Sequence, residues 1–188
     1  MKRLILSTLT AAILGVSAAA SADNLSIGFA DPLSSLDPQL NNHAGDRSVA
    51  LHFWDLLIEN KWNKLQPGLA VSWKPLDSTT WEFKLREGVK WQDGTPFTAD
   101  DLIYSYTRAR AVPGSVATYA GYLRTIDTMT AKDPLTLIVK TKAPNPDLPL
   151  NLASVHVVSK HVGEKSTTED YNSGKAMVGT GPYKFVSY

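Results

Sequence analysis

Apolar and polar residues alternate with period two from Trp81 to Arg86. Trp81, Phe83 and Leu85 fall on one face, and Glu82, Lys84 and Arg86 on the other. That is the pattern of a strand with one buried and one wet side. Gly88 interrupts it, Val89 and Trp91 resume it, and Asp93-Gly94 marks a turn. Thr98 then stands where an N-cap satisfies free backbone N–H groups, with Asp101 three residues on in the capping-box position. Phe97 and Leu102 occupy the two staple positions, and Asp100 and Asp101 suit the positive end of a helix. The spacing predicts a helix over 99–111, stopped by Val112-Pro113-Gly114.

The same reading extends along the chain. Leu25, Ile27 and Phe29 share one face and predict a half-buried strand. Asp31-Pro32 and Asp37-Pro38 break the backbone. A polar stretch, "NNHAGDRS", leads into "VALHFWDLLIEN", where Ala50, Leu51, Trp54, Leu57 and Ile58 recur at helical spacing and predict an amphipathic helix. Pro67-Gly68 marks a turn. "ATYAGYLRTID" reads as helical or irregular, and "LTLIVKT" as a strand. "APNPDLPLNLA", rich in proline, reads as extended or looped. Residues 154–162 fit helix or strand equally, because the apolar run is short. "TTEDYNSGKAM" reads as loop, and Tyr183, Phe185 and Ser187 as one face of a strand after a Gly-Pro turn. The fold class expected is mixed α/β.

The N-terminus has another character. Lys2 and Arg3 precede an apolar run from Leu4 to Ala20, and Ala20-Ser21-Ala22 supplies a small-residue cleavage site. Residues 1–22 read as a secretory signal peptide cut between Ala22 and Asp23. A membrane-spanning reading fits less well, since a span needs about 20 apolar residues and is not usually followed by such a site. The chain has no cysteine, so neither a lipoprotein anchor nor a disulfide is available. An exported chain of this kind rests on a packed core. Without Lys2 and Arg3 it carries 17 basic and 18 acidic residues, a balance that argues against nucleic-acid or anionic-membrane partners.

Catalytic equipment is not evident. Nucleophilic catalysis needs a Ser or Cys beside an oriented base, and no G-x-S-x-G elbow is present. His43, Asp46 and Ser48 lie close in sequence, whereas triad members meet through the fold. His156 and His161 lie outside any strong metal signature and read as a helix-face pair making ordinary hydrogen bonds. "GTGPY" lacks the Lys-Ser/Thr pair and following helix of a phosphate loop. Trp54, Trp81 and Trp91 follow the core pattern. Tyr119 and Tyr122 sit among small residues, where a surface or cleft position fits as well as packing. The reading is a binding protein and not an enzyme, with no cofactor.

The segment "PGLAVSWKPLDSTTWEFKLREGVKWQDGTPFTADDLIYSYTRA" strongly resembles the hallmark segment of the family 5 extracellular solute-binding proteins. "SLDPQ", "VVSKHVGEK" and "GTGPYKFVSY" resemble further family segments in the same order. The resemblance implies a periplasmic-binding-protein type II clamshell. Residues 23–50 and 178–188 would belong to the main lobe and residues 51–177 to its inserted subdomain, with the second lobe absent from this N-terminal fragment. It implies a periplasmic ABC-transporter receptor for di- or oligopeptides; a nickel chelate, opine or sugar is the alternative solute. A non-functional remnant is a further reading, since one lobe alone cannot close on a solute. The expected partners are a peptide-like solute and an inner-membrane permease. The expected state is monomeric, with no lipid anchor and no nucleic acid. By the same resemblance, the loop after "SLDPQ" places Asn42, His43 and Ala44 near the ligand, and "TYAGYL" makes Tyr119 or Tyr122 a ligand contact.

Overall fold

The computed structural model describes residues 26–28 and 30–187. The expected signal segment and its expected Ala22–Asp23 cleavage site, Leu25 and Phe29 lie outside the described residues. Ile27 is 55% exposed and unpaired, so the described part of the first expected strand forms no ladder. The architecture is a four-stranded antiparallel sheet with the helix of residues 99–109 packed on it, and a small separate hairpin. In chain order it comprises α1 (Ala44–Ala50), β1 (Ile58–Lys61), β2 (Lys64–Pro67), β3 (Ala70–Pro75), β4 (Thr80–Leu85) and α2 (Ala99–Ala109). Then follow α3 (Ala120–Leu123), β5 (Ile126–Asp133), β6 (Thr136–Thr141), α4 (Leu148–Leu152), α5 (Lys160–Gly163) and α6 (Thr168–Asn172).

The sheet order is β3-β4-β6-β5, so the predicted strand at 81–85 becomes a central one. Its register sets Trp81 opposite Val139 and Phe83 opposite Leu137, which fixes the apolar face. On the other face the expectation of a wet side holds for Lys84 and fails for Glu82, which is only 7% exposed. The ammonium groups of Lys74 and Lys132, from β3 and β5, lie 3.6 and 3.8 Å from its carboxylate and cover it. Helix α2 packs on β5 and β6 through Leu102, Tyr106 and Ala109. Its start is as expected: the Asp101 carboxylate accepts from the Thr98 N–H at 2.9 Å, while its second oxygen accepts from Lys160 N–H at 2.9 Å. One aspartate thus fixes the starts of both α2 and α5.

Several segments differ from expectation, each for a physical reason. "VALHFWDLLIEN" is not one helix. The helix lies upstream, and Trp54, Leu57 and Ile58 are buried in extended chain that passes through the core. The indole of Trp54 donates to Val178 O at 3.1 Å and Leu56 pairs with His156. A segment covered on all sides carries no decisive period. In "APNPDLPLNLA", Pro149 falls in the first turn of α4, where its missing N–H costs nothing. "TTEDYNSGKAM" holds α6, whose Thr167 and Asp170 form a reciprocal capping box at 2.9 and 3.3 Å. Nothing in the apolar pattern announces strand β5, which buries only Ile126 fully.

The expected strand after the Gly-Pro turn is also absent. Residues 183–187 form no ladder, although Gly181 and Tyr183 donate to the carbonyls of Phe53 and His52 at 2.8 and 3.1 Å. Gly179 lies on that crossing, and a Cβ there would stand 1.7 Å from Phe53 O. Glycine is required by this close approach of two backbones.

Candidate functional site

The five candidate residues lie on two segments that meet in the structure. Two segments are stitched together there: Asn42 N–H donates to Ala117 O at 2.8 Å, Val116 N–H to the Asn41 side chain at 3.2 Å, and Ser115 Oγ to Leu40 O. The loop after "SLDPQ" and the loop before α3 are therefore one unit. Across it, the Asn42 amide nitrogen donates to the Tyr122 hydroxyl at 3.2 Å. The guanidinium of Arg47, one helical turn into α1, donates to the Asn42 amide oxygen at 3.2 Å. Asn42 and Tyr122 are only partly buried, so this polar chain borders solvent.

His43 caps α1 through its backbone and leaves its side chain half exposed, with Nδ1 3.9 Å from the buried Asp46 carboxylate. Ala44 is the exposed first residue of α1 and presents only a methyl group. Tyr119 differs from the surface or cleft reading. It is fully buried, its hydroxyl donates to Asn41 O at 3.4 Å, and its ring lies 6.3 Å from that of Tyr122. Burial pushes its phenol up to about 12, against the opposing pull of Arg47. Tyr119 thus packs beneath Asn41, while Tyr122 is the tyrosine of the pair that borders solvent. An adjoining recess of about 120 Å³, lined by Leu33, Ser34, Ser35, Leu36 and Asn172, is smaller than the roughly 300–1,000 Å³ of ordinary ligand pockets. Together these residues form a wall and not an enclosure.

No triad assembles from His43, Asp46 and Ser48. Asp46 accepts from the N–H and hydroxyl of Ser34, while Ser48 Oγ donates to Ala44 O at 2.9 Å. His156 and His161 are not a helix-face pair either, since His156 is buried in extended chain and His161 is exposed on α5. Among the described residues no group of three or more His, Cys, Asp or Glu is placed to hold a metal.

Behind the wall lies a network that sequence reasoning did not find. Arg108 grips Asp37 of the "SLDPQ" stretch with two bonds of 3.0 and 2.6 Å and reaches Gln39 Oε1 at 3.1 Å. Thr168 Oγ1 adds a bond to Asp37 at 2.9 Å, and the Tyr171 ring lies beneath the guanidinium at 4.9 Å. Burial disfavours the Arg108 charge, but the Asp37 carboxylate outweighs it, and the guanidinium is pushed up. Gln39 in turn donates to Ser105 Oγ and His156 O, both at 2.8 Å. Fixing residues 37–39 this way fixes where Asn42 emerges.

Comparison with known proteins places this geometry in a family. The profile of bacterial extracellular solute-binding proteins, family 5 middle, matches residues 64–188. The periplasmic oligopeptide-binding protein OppA of Salmonella typhimurium is 35% identical over 135 residues, covering 65% of this chain and 25% of that protein. The periplasmic murein peptide-binding protein MppA of Escherichia coli is 38% identical over 79 residues, 42% of this chain and 15% of that protein. The solved structure of MppA superposes with a TM-score of 0.73 at 27% identity, over 84% of this chain and 34% of that one. Burkholderia pseudomallei OppA gives 0.74 at 26% identity, over 83% and 34%. The chain spans at most about a quarter of the length of these sequence relatives and about a third of the solved structures. Its match to the profile over two thirds of its residues makes it a member of the family 5 bacterial extracellular solute-binding proteins.

Proposed function

We propose that this chain is part of a periplasmic receptor that captures di- or oligopeptides for import through an ABC permease in the inner membrane, without covalent chemistry. The observation that carries this reading is the 35% identity over 135 residues to an oligopeptide-binding protein. The wall built from Asn42, His43, Ala44 and Tyr122 supports it, because amide and hydroxyl groups at a solvent border suit the main-chain polar groups of a peptide. Residues 23–50 and 178–188 are assigned to the main lobe and 51–177 to the insert. The side-by-side run of residues 181–183 with 52–53 supports this, as entry to and exit from an insert lie together. The receptor works as a monomer free in the periplasm, without a lipid anchor.

A second solute class has a specific observation behind it. The solved structure of the binding protein MoaA of A. tumefaciens R10 in complex with mannopinic acid superposes with a TM-score of 0.70 at 26% identity. Calorimetric titration of the receptor isolated from its source cell decides between them. Peptide pools of two to five residues are expected to bind and mannopinic acid not to. Binding of the opine alone would overturn the peptide reading, and turnover of ester or peptide substrates, lost on His43→Ala, would overturn the receptor reading.

A further inference from the structure

Strands β1 and β2 form their own two-stranded ladder, joined by only Trp62 and Asn63. Both residues take positive φ, 56° and 59°, the pair that a type I′ hairpin turn requires. Asn tolerates that conformation, whereas the Cβ of a Trp crowds the following carbonyl. Packing does not compensate: Trp62 is 95% exposed. The register also sets Lys61 directly opposite Lys64, and like charges facing across strands repel. Glu59 pairs with Lys61, while Lys64 has no acidic partner among the described residues. A left-handed, exposed Trp62 and two facing lysines, of which Lys61 alone has an acidic partner among the described residues, thus gather at one hairpin tip, and backbone strain of this kind clusters at binding sites.

We propose that this tip docks on an anionic lipid surface, with Trp62 seated at the headgroup boundary and Lys61 and Lys64 reaching phosphates on either side. Composition favours lipid over protein. Lys is depleted at protein interfaces, where Arg is enriched. Trp beside Lys is the combination that anchors at a bilayer boundary, the Lys stems lying along apolar surface with their ammonium groups among headgroups. Area points the same way. A standard protein interface takes about 800 Å² from each partner, and Trp62 is the one large apolar side chain exposed on the hairpin among the described residues. A fluid lipid boundary needs no matched surface. The near-neutral balance of the whole chain makes the attraction local, weak and salt-sensitive. None of this depends on which solute the receptor takes.

The test is co-sedimentation of the full chain with sucrose-loaded vesicles of phosphatidylcholine, alone or with one-third phosphatidylglycerol, at low and high salt. Wild type, Trp62→Asn and the double variant Lys61→Gln/Lys64→Gln are compared; residues 1–25 are common to all three, so differences report the tip. The expected result is a preference for the anionic vesicles that falls about fivefold for each lysine removed. Trp62→Asn is expected to weaken binding and to lose the vesicle-dependent blue shift of emission, while melting no lower than wild type. Equal binding by all three chains would overturn the proposal. So would a Trp62-dependent cross-link to a protein without any vesicle preference, which would assign the tip to a protein partner.

Discussion

His156 gives the fold a defined acid sensitivity. Its ring is fully buried where Leu56 and His156 bridge, and Nδ1–H donates to Trp54 O at 3.3 Å. Burial pulls its pKa from the ordinary 6.5 down to about 4; the Trp54 hydrogen bond opposes this, and Arg47 adds to it. The unfolded chain therefore takes up a proton between pH 6.5 and 4 that the folded chain refuses. Stability is fully present above pH 6.5 and is lost as pH falls through that window. The linkage relation puts the loss between pH 7 and 5 at about 2 kcal/mol, rising to about 3 kcal/mol below pH 4. Urea unfolding at half-unit steps from pH 7.5 to 4.5 measures it. Carboxylates also titrate in the lower half of that range, so the informative quantity is wild type minus His156→Asn, whose amide keeps a donor for the Trp54 carbonyl. The variant is expected to be less stable at pH 7 and to lose about 2 kcal/mol less on going to pH 5. Parallel profiles would refute the reasoning, since the buried ring would then not be the group that resists protonation.

Four further outcomes are expected. Asp37→Ala strands the buried Arg108 guanidinium and should lower stability by about 3–5 kcal/mol in urea unfolding; Asp37→Leu with Arg108→Met should lose less. Gly179→Ala drives a methyl into Phe53 O and should cost about 2–4 kcal/mol, seen as a lowered melting midpoint. Trp62→Asn relieves the left-handed tryptophan and should raise stability by about 1 kcal/mol in the same assay. Tyr122→Phe removes the Asn42 partner, and calorimetry on the complete receptor should show peptide affinity weakened by about 1 kcal/mol with the melt unchanged.

The hallmark stretch was legible because its signals are local. The strand at 81–85 with its apolar face, the Asp93-Gly94 turn and the Thr98/Asp101 cap each lie within a few residues, and each appears in the structure, with Glu82 alone departing from the expected wet face. The misreadings share a cause. "VALHFWDLLIEN" and β5 depend on what covers them: the first is enclosed on all sides, and the second buries only Ile126 fully. Helix α6 was missed through its polarity, although its Thr167/Asp170 box repeats the signal that identified α2.

The candidate residues divide along the same line. That Asn42 and the tyrosines belong together came from resemblance, because nothing in the spacing of residues 42 and 122 announces a hydrogen bond between them. That Tyr119 is a support and Tyr122 an edge residue follows only from burial. The Asp37–Arg108 pair spans 71 positions and joins a loop to the end of a helix, so no pattern along the chain reveals it. Yet it holds the loop that carries the candidate residues. A buried ion pair adds little net stability over an apolar pair but penalises every arrangement in which one partner is left alone. With Arg108 and Thr168 both bonded to the Asp37 carboxylate, residues 37–39 have one permitted place. The loop that carries Asn42 and His43 therefore leaves the scaffold at a fixed point, in reach of Tyr122.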